Sequence, residues 1–169
     1  TGWMFSMHVA LLGTGLLGQA VAERLHATGH HLSAYNRTPE KTLALRQQGL
    51  HIASTAVEAI AAAEVVILLL ADAAAIRAVL LDPSTSQVLG GRTIIQMGTI
   101  GPSESCSIGE EIERLGGQYL EAPVLGSIAE AKSGALLIMV GATPERDATW
   151  SPLLQAPSAD RRLLGPVGQ

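Results

Sequence analysis

Cysteine is almost missing from this chain. Cys106 is the single one among 169 residues, which leaves no disulfide framework and no thiolate metal cluster. A reducing compartment, the cytoplasm, is the expected setting. Aromatic residues are also scarce, at 3% against 47% hydrophobic overall, so the core must be built from Leu, Val, Ile and Ala. No basic block is present and the formal charge is −4, which argues against a nucleic-acid partner held by a charged surface. The longest apolar run, residues 65–71, is far too short to span a bilayer, so no membrane partner is expected. Residues 1–6 lack the charged and apolar regions of a signal peptide and read as a leader or appended remnant. His8, His26, His30, His31 and His51 show no ligand spacing with acidic partners, and no metal is expected.

What is abundant is glycine, and three glycines are placed with purpose. Gly13, Gly15 and Gly18 give the spacing G-x-G-x-x-G, with Thr14, Leu16 and Leu17 between them, where an apolar strand runs into a helical pattern. Gly13 permits a tight turn, Gly15 lets a pyrophosphate approach the backbone, and Gly18 allows close packing of helix on sheet. The helix begins near Leu16, so its free N–H groups and positive dipole end face that phosphate. Leu17, Val21 and Leu25 form its apolar stripe. The second strand, residues 31–35, ends at Asn36-Arg37-Thr38. A site for NAD usually has Asp or Glu there to bind the ribose 2′-OH. Here no carboxylate repels a 2′-phosphate, and Arg37 offers a planar fork of donors to it, so NADP is the expected cofactor.

Strand and helix signals alternate along the rest of the chain. Strands are expected at residues 7–12, 31–35, 51–53, 64–70, 93–97, from 119, at 136–140 and at 162–164. Helices are expected from Leu16, over 39–48, from Ser54 or Thr55 through 62, and over 73–81. Further helices are expected from a cap at Ser103 through 115, over 128–132 and over 144–154, with Asp82-Pro83-Ser84 as a helix breaker. The nearly continuous apolar run EVVILLL reads as a central parallel strand buried on both faces. The pattern implies an α/β fold with a doubly wound, mostly parallel sheet of the Rossmann type.

Several motifs then fall in one order: the glycine turn, Asn36-Arg37-Thr38, the loop after EVVILLL, Gly98-Thr99-Ile100-Gly101-Pro102-Ser103, Ala122-Pro123-Val124-Leu125-Gly126-Ser127, Gly134-Ala135-Leu136, and Gly165-Pro166-Val167-Gly168. Together they resemble the amino-terminal domain of the β-hydroxyacid dehydrogenase family, which includes 3-hydroxyisobutyrate dehydrogenases and relatives of 6-phosphogluconate dehydrogenase. Imine reductases are similar too. The resemblance implies that Gly13 to Gly18 cradle the pyrophosphate and that Asn36, Arg37 and Thr38 hold the 2′-phosphate. Leu70, Ala71 and Ala75 would lie along the adenosine, and Thr99 would contact the nicotinamide ribose. Leu125, Gly126 and Ser127 would line the site of a small carboxylate substrate.

Two departures accompany the resemblance. The family often has Ser where this chain has Leu125, which points to a bulkier or less polar substrate. The family's catalytic lysine lies on a long helix just after the Gly-x-x-Gly matched by Gly165 and Gly168, and neither Lys41 nor Lys132 fits that role. The resemblance therefore implies a nucleotide-binding domain over residues 7–164, the start of an interdomain helix at 165–169, and no catalytic residue within the chain. A helical second domain and its dimer contact would follow Gln169. The expected function is hydride transfer between NADP(H) and a small 3-hydroxy acid or its semialdehyde. The competing readings are a non-catalytic NADP-binding module, an imine reductase-like domain, and an S-adenosylmethionine-dependent methyltransferase, the last disfavoured by Asn36-Arg37-Thr38.

Overall fold

The computed structural model describes residues 6–168; residues 1–5 of the expected leader lie outside them. The elements run in the order β1 (His8–Leu12), α1 (Leu16–Ala27), β2 (His31–Tyr35), a 3-10 turn (Pro39–Thr42), α2 (Leu43–Gln47), β3 (His51–Ile52), α3 (Ala56–Ala61), β4 (Val65–Leu68), α4 (Ala73–Leu80) and α5 (Pro83–Ser86). They continue with β5 (Thr93–Gln96), α6 (Pro102–Arg114), β6 (Gln118–Glu121), β7 (Val124–Leu125), α7 (Ile128–Ser133), β8 (Leu136–Gly141), α8 (Pro144–Gln155) and β9 (Ser158–Gly165).

All the described strands join one sheet in the order β3-β2-β1-β4-β5-β6-β8-β7, with β9 also paired to β8. Strands β1 to β6 are all parallel to one another. The direction reverses at β8, which is antiparallel to β6 and β7 and parallel to β9. The expected Rossmann-type α/β sheet is therefore present, with its strand order switching direction between β1 and β4.

Alternating side chains divide the core into two layers. Val9, Leu11, Val65 and Ile67 pack with Val21 and Leu25 of α1 and with Trp150, Leu153 and Leu154 of α8. Ala10, Leu12, Val66 and Leu68 pack with Ile60, Ile76, Leu80, Ile108 and Ile112 from α3, α4 and α6. All of β4 is buried, which is why EVVILLL shows no polar alternation.

Local signals misplace some boundaries. Pro83 opens the short helix α5 after the Asp82 cap instead of ending helical structure, because proline suits a first helical turn. Helix α6 starts one residue before Ser103: Gly101 is its N-cap, and the Glu104 carboxylate accepts the Gly101 N–H at 3.1 Å. Residues 162–164 are the end of an eight-residue strand whose extended pairing is supplied by β8. Val124 and Leu125, expected as a continuation of β6, form a separate strand paired to β8. Residues 166–168 form a turn held by Glu121, whose carboxylate accepts the Gly168 N–H at 2.9 Å.

Candidate nucleotide-binding site

The glycine turn lies at the carboxyl end of β1, between the ends of β2 and β4. Gly13 has φ +102°, and a Cβ on it would stand 2.2 Å from the Leu69 carbonyl oxygen. A Cβ on Gly18 would stand 2.1 Å from the Gly13 oxygen, so both positions are closed to larger residues. Gly15 is different: nothing lies within 4 Å of where its Cβ would be. Its missing side chain therefore leaves open space beside the backbone.

Gly15 is also the N-cap of α1 and supplies no side-chain hydrogen bond. By contrast Thr55, Asp72, Asp82, Ser127 and Thr143 cap α3, α4, α5, α7 and α8 with side-chain oxygens. The first-turn N–H groups of α1 are thus left for an anion.

These groups open onto a cleft of about 730 Å³. Gly13, Gly15, Leu16, Leu17 and Gly18 line one end, and Asn36, Arg37 and Thr38 another. Leu70, Ala71 and Ala75 line the wall formed by the end of β4 and by α4. Val57, Ala78 and Val79 add an apolar slot beside Thr55. Arg37 is exposed and, among the described residues, makes no ion pair. Lys41 lines the cleft beside it and is likewise unpaired among the described residues. The sequence points to Lys41 only as a candidate acid catalyst; the 3-10 turn Pro39–Thr42 is what brings it to the cleft, and no local pattern announces that. At the rim, hydrogen bonds from Ser84 hold the Asp82 carboxyl below its usual range.

Two of the expected site residues serve as struts. Thr14 is fully buried; its N–H donates to Asn36 Oδ1 at 2.9 Å and its hydroxyl to the Lys41 carbonyl at 2.8 Å. Asn36 in turn donates from Nδ2 to the Thr38 carbonyl at 3.1 Å. Asn36 touches the cleft, whereas Thr14 does not line it.

Thr99 lies in a smaller pocket of about 190 Å³, which meets the cleft at Gly98. Leu125 lines that pocket with Ile100, Pro123, Val124 and Met139, and Glu121 is its one charged side chain. Gly126 and Ser127 lie outside it. The Ser127 N–H donates to Glu130 Oε1 at 2.9 Å and its Oγ accepts the Glu130 N–H at 3.1 Å. That capping box occupies the Ser127 N–H and, of this residue's donors, leaves the hydroxyl hydrogen free for a substrate.

Residues 8–165 match the family described as the NAD binding domain of 6-phosphogluconate dehydrogenase. Among curated proteins, the glyoxylate/succinic semialdehyde reductase 1 of Arabidopsis thaliana is 32% identical over 135 residues, which is 79% of this chain and 47% of that protein. The cytokine-like nuclear factor N-PAC of Xenopus tropicalis is 30% identical over 133 residues, which is 78% of this chain and 25% of that protein. The chain thus spans less than half the length of either relative. A solved 3-hydroxyisobutyrate dehydrogenase from Mycobacterium tuberculosis superimposes with a TM-score of 0.92 at 24% identity, over 97% of this chain and 56% of that one.

Proposed function

We propose that this chain, which belongs to the family of the NAD-binding domain of 6-phosphogluconate dehydrogenase, binds NADP(H) and serves an oxidoreductase of the β-hydroxyacid dehydrogenase type. One observation carries the reading: an uncapped helix start and an open Gly15 share one cleft with two cations, Arg37 and Lys41, that are unpaired among the described residues.

On this reading the α1 N–H groups take the pyrophosphate. The side chains of Arg37 and Lys41, with Thr38, take the 2′-phosphate. Leu70, Ala71, Ala75 and the slot beside Val57 and Val79 exclude water from the adenosine. Nicotinamide chemistry, when the cofactor is bound, would be hydride transfer, and the chain would supply placement and polarity. Thr99 would then contact the nicotinamide ribose, and Leu125, with Gly126 and Ser127 next to it in the chain, would border the substrate, a small 3-hydroxy acid or its semialdehyde. Residues 7–164 form the cofactor domain, and 165–169 lead toward a helical domain that brings the acid-catalytic lysine. The whole enzyme is a cytoplasmic homodimer. No helix among the described residues is long and apolar enough to cross a membrane.

A second reading, an imine reductase-like substrate site, is favoured by the smaller pocket. Its walls are mostly apolar, with Gln96 and Thr99 as neutral polar members; its one charged side chain is Glu121, and Leu125 stands where the family often has a hydrogen-bonding serine. A cationic or neutral apolar substrate suits those walls better than a carboxylate.

Fluorescence titration of the chain with NADPH and NADH tests the cofactor assignment. A charge-assisted hydrogen bond is worth roughly 1.5–3 kcal/mol. NADPH should therefore bind at least about tenfold tighter, and Arg37→Ala should remove most of that gap. Equal affinities overturn the NADP assignment; binding of neither overturns the nucleotide reading altogether.

A further inference from the structure

We infer that Thr14 and Gln19 are positioning residues that set the preference for a 2′-phosphorylated nucleotide, although their hydrogen-bonding groups point away from it. The inference rests on the cofactor reading above and adds to it a device that fixes the distance between its two phosphate subsites.

The device is a clamp on one backbone carbonyl. The oxygen of Lys41 accepts from the Thr14 hydroxyl at 2.8 Å and from Gln19 Nε2 at 3.2 Å. The same Gln19 amide donates to the Thr14 carbonyl at 2.9 Å. Gln19 lies on α1, whose backbone N–H returns to the Gly15 carbonyl at 2.8 Å. The clamp therefore ties the first turn of α1 to the 3-10 turn that carries Lys41. A second tie, from the Thr14 N–H to Asn36 Oδ1, fixes the base of the tip bearing Arg37 and Thr38. The Lys41 N–H to the Thr38 carbonyl, at 3.1 Å, closes the ring.

Consequently the pyrophosphate end and the cationic end of the cleft are held as one body by a residue with no exposed surface, Thr14. A nucleotide without the 2′-phosphate uses only the first end and does not register the spacing. One with it must satisfy both ends at once. Relaxing the clamp should therefore penalise the two nucleotides unequally. A merely structural role would weaken both alike.

The test uses the chain as it stands, with NADPH and NADH as probes. Gln19→Met and Thr14→Val keep side-chain volume and remove the donors to Lys41. In the double variant the ratio of NADPH to NADH affinity should fall about tenfold, the size of one ordinary hydrogen bond. Thr14→Ser, which restores the hydroxyl in a Gln19 background, should recover the wild-type ratio. Gln19→Met alone, at a half-exposed position that does not threaten folding, should lower the ratio severalfold. An unchanged ratio, an equal loss for both nucleotides, or a Thr14→Ser chain that behaves like Thr14→Val overturns the inference. A wild-type chain with no preference for NADPH instead overturns the cofactor reading, a separately visible result.

Discussion

Gly15 and Gly18, three residues apart, should respond differently to the same added methyl group. In Gly18→Ala the new Cβ would meet the Gly13 carbonyl oxygen at 2.1 Å, a backbone atom that cannot swing aside. Either the turn or α1 must shift; overpacking costs about 1–3 kcal/mol, and so short an approach to backbone belongs at the upper end, about 3 kcal/mol. For a domain of this size each kcal/mol lowers the melting temperature by roughly 2–4 °C, so a loss of about 6–12 °C is expected. In Gly15→Ala the Cβ meets nothing within 4 Å, and the φ of −66° and ψ of −174° suit alanine. Reduced freedom of the unfolded chain favours alanine by about 0.4–1 kcal/mol. Alanine's poorer performance at an N-cap opposes it by about the same amount. Stability should therefore change by less than about 1 kcal/mol, while the methyl group occupies the space left for the pyrophosphate. Thermal melts by circular dichroism, beside NADPH titration, read the two effects separately. Gly15→Ala should melt near the wild type and bind NADPH at least about tenfold more weakly. The reasoning fails if Gly15→Ala melts as low as Gly18→Ala, or if it binds NADPH as tightly as the wild type.

Other perturbations follow from groups outside the cleft. Arg92 donates to the carbonyls of Ile60, Ala61, Ala63, Val88 and Gly90, gathering the ends of α3 and α5. Arg92→Ala should cost about 2–3 kcal/mol, or roughly 5–10 °C in the same melts, and Arg92→Lys should not restore it because an ammonium lacks the planar fork; a melt within 2 °C of wild type, roughly the effect of 1 kcal/mol or less, would contradict this. His30 is buried, accepts the Met7 N–H at Nδ1, and has its pKa lowered by burial and by His31. The folded chain therefore favours neutral His30: its contribution is full above the unfolded value near 6.5 and is lost as pH falls through the lowered folded value. The melting temperature should drop between pH 7 and 5, and His30→Gln should flatten that drop; an identical slope in the variant would remove His30 as its cause. Tyr119 and Ser105 share a buried hydrogen bond of 2.7 Å, and burial pushes the phenol pKa up. Tyr119→Phe should cost about 1–3 kcal/mol by stranding the Ser105 hydroxyl, read as a lower denaturation midpoint.

The parts of the fold legible in the sequence are those governed by local chemistry. EVVILLL announces a doubly buried strand, and Thr55 and Thr143 announce their helices because a cap is a contact within one turn. The length of β9 and the separate existence of β7 were hidden, since both depend on β8 as a partner distant in sequence. The site divides in the same way. Gly13, Gly15 and Gly18 declare their positions through spacing; the fold closes Gly13 and Gly18 to a Cβ and leaves Gly15 open. The service of Asn36 and Thr14 as struts could not be read, because it depends on hydrogen bonds across residues 14 to 41 that only the folded turn brings together. Lys41 went unassigned to the cleft for the same reason. The capping box at Ser127 is legible in the sequence, because its partner Glu130 lies three residues later.

The most direct measurement is a crystal structure of the chain grown with NADP+. The expected density places the pyrophosphate at the N–H groups that open α1 beside Gly15, and the 2′-phosphate against the guanidinium of Arg37. Nucleotide seated elsewhere, or a 2′-phosphate turned to solvent away from Arg37, would contradict the account.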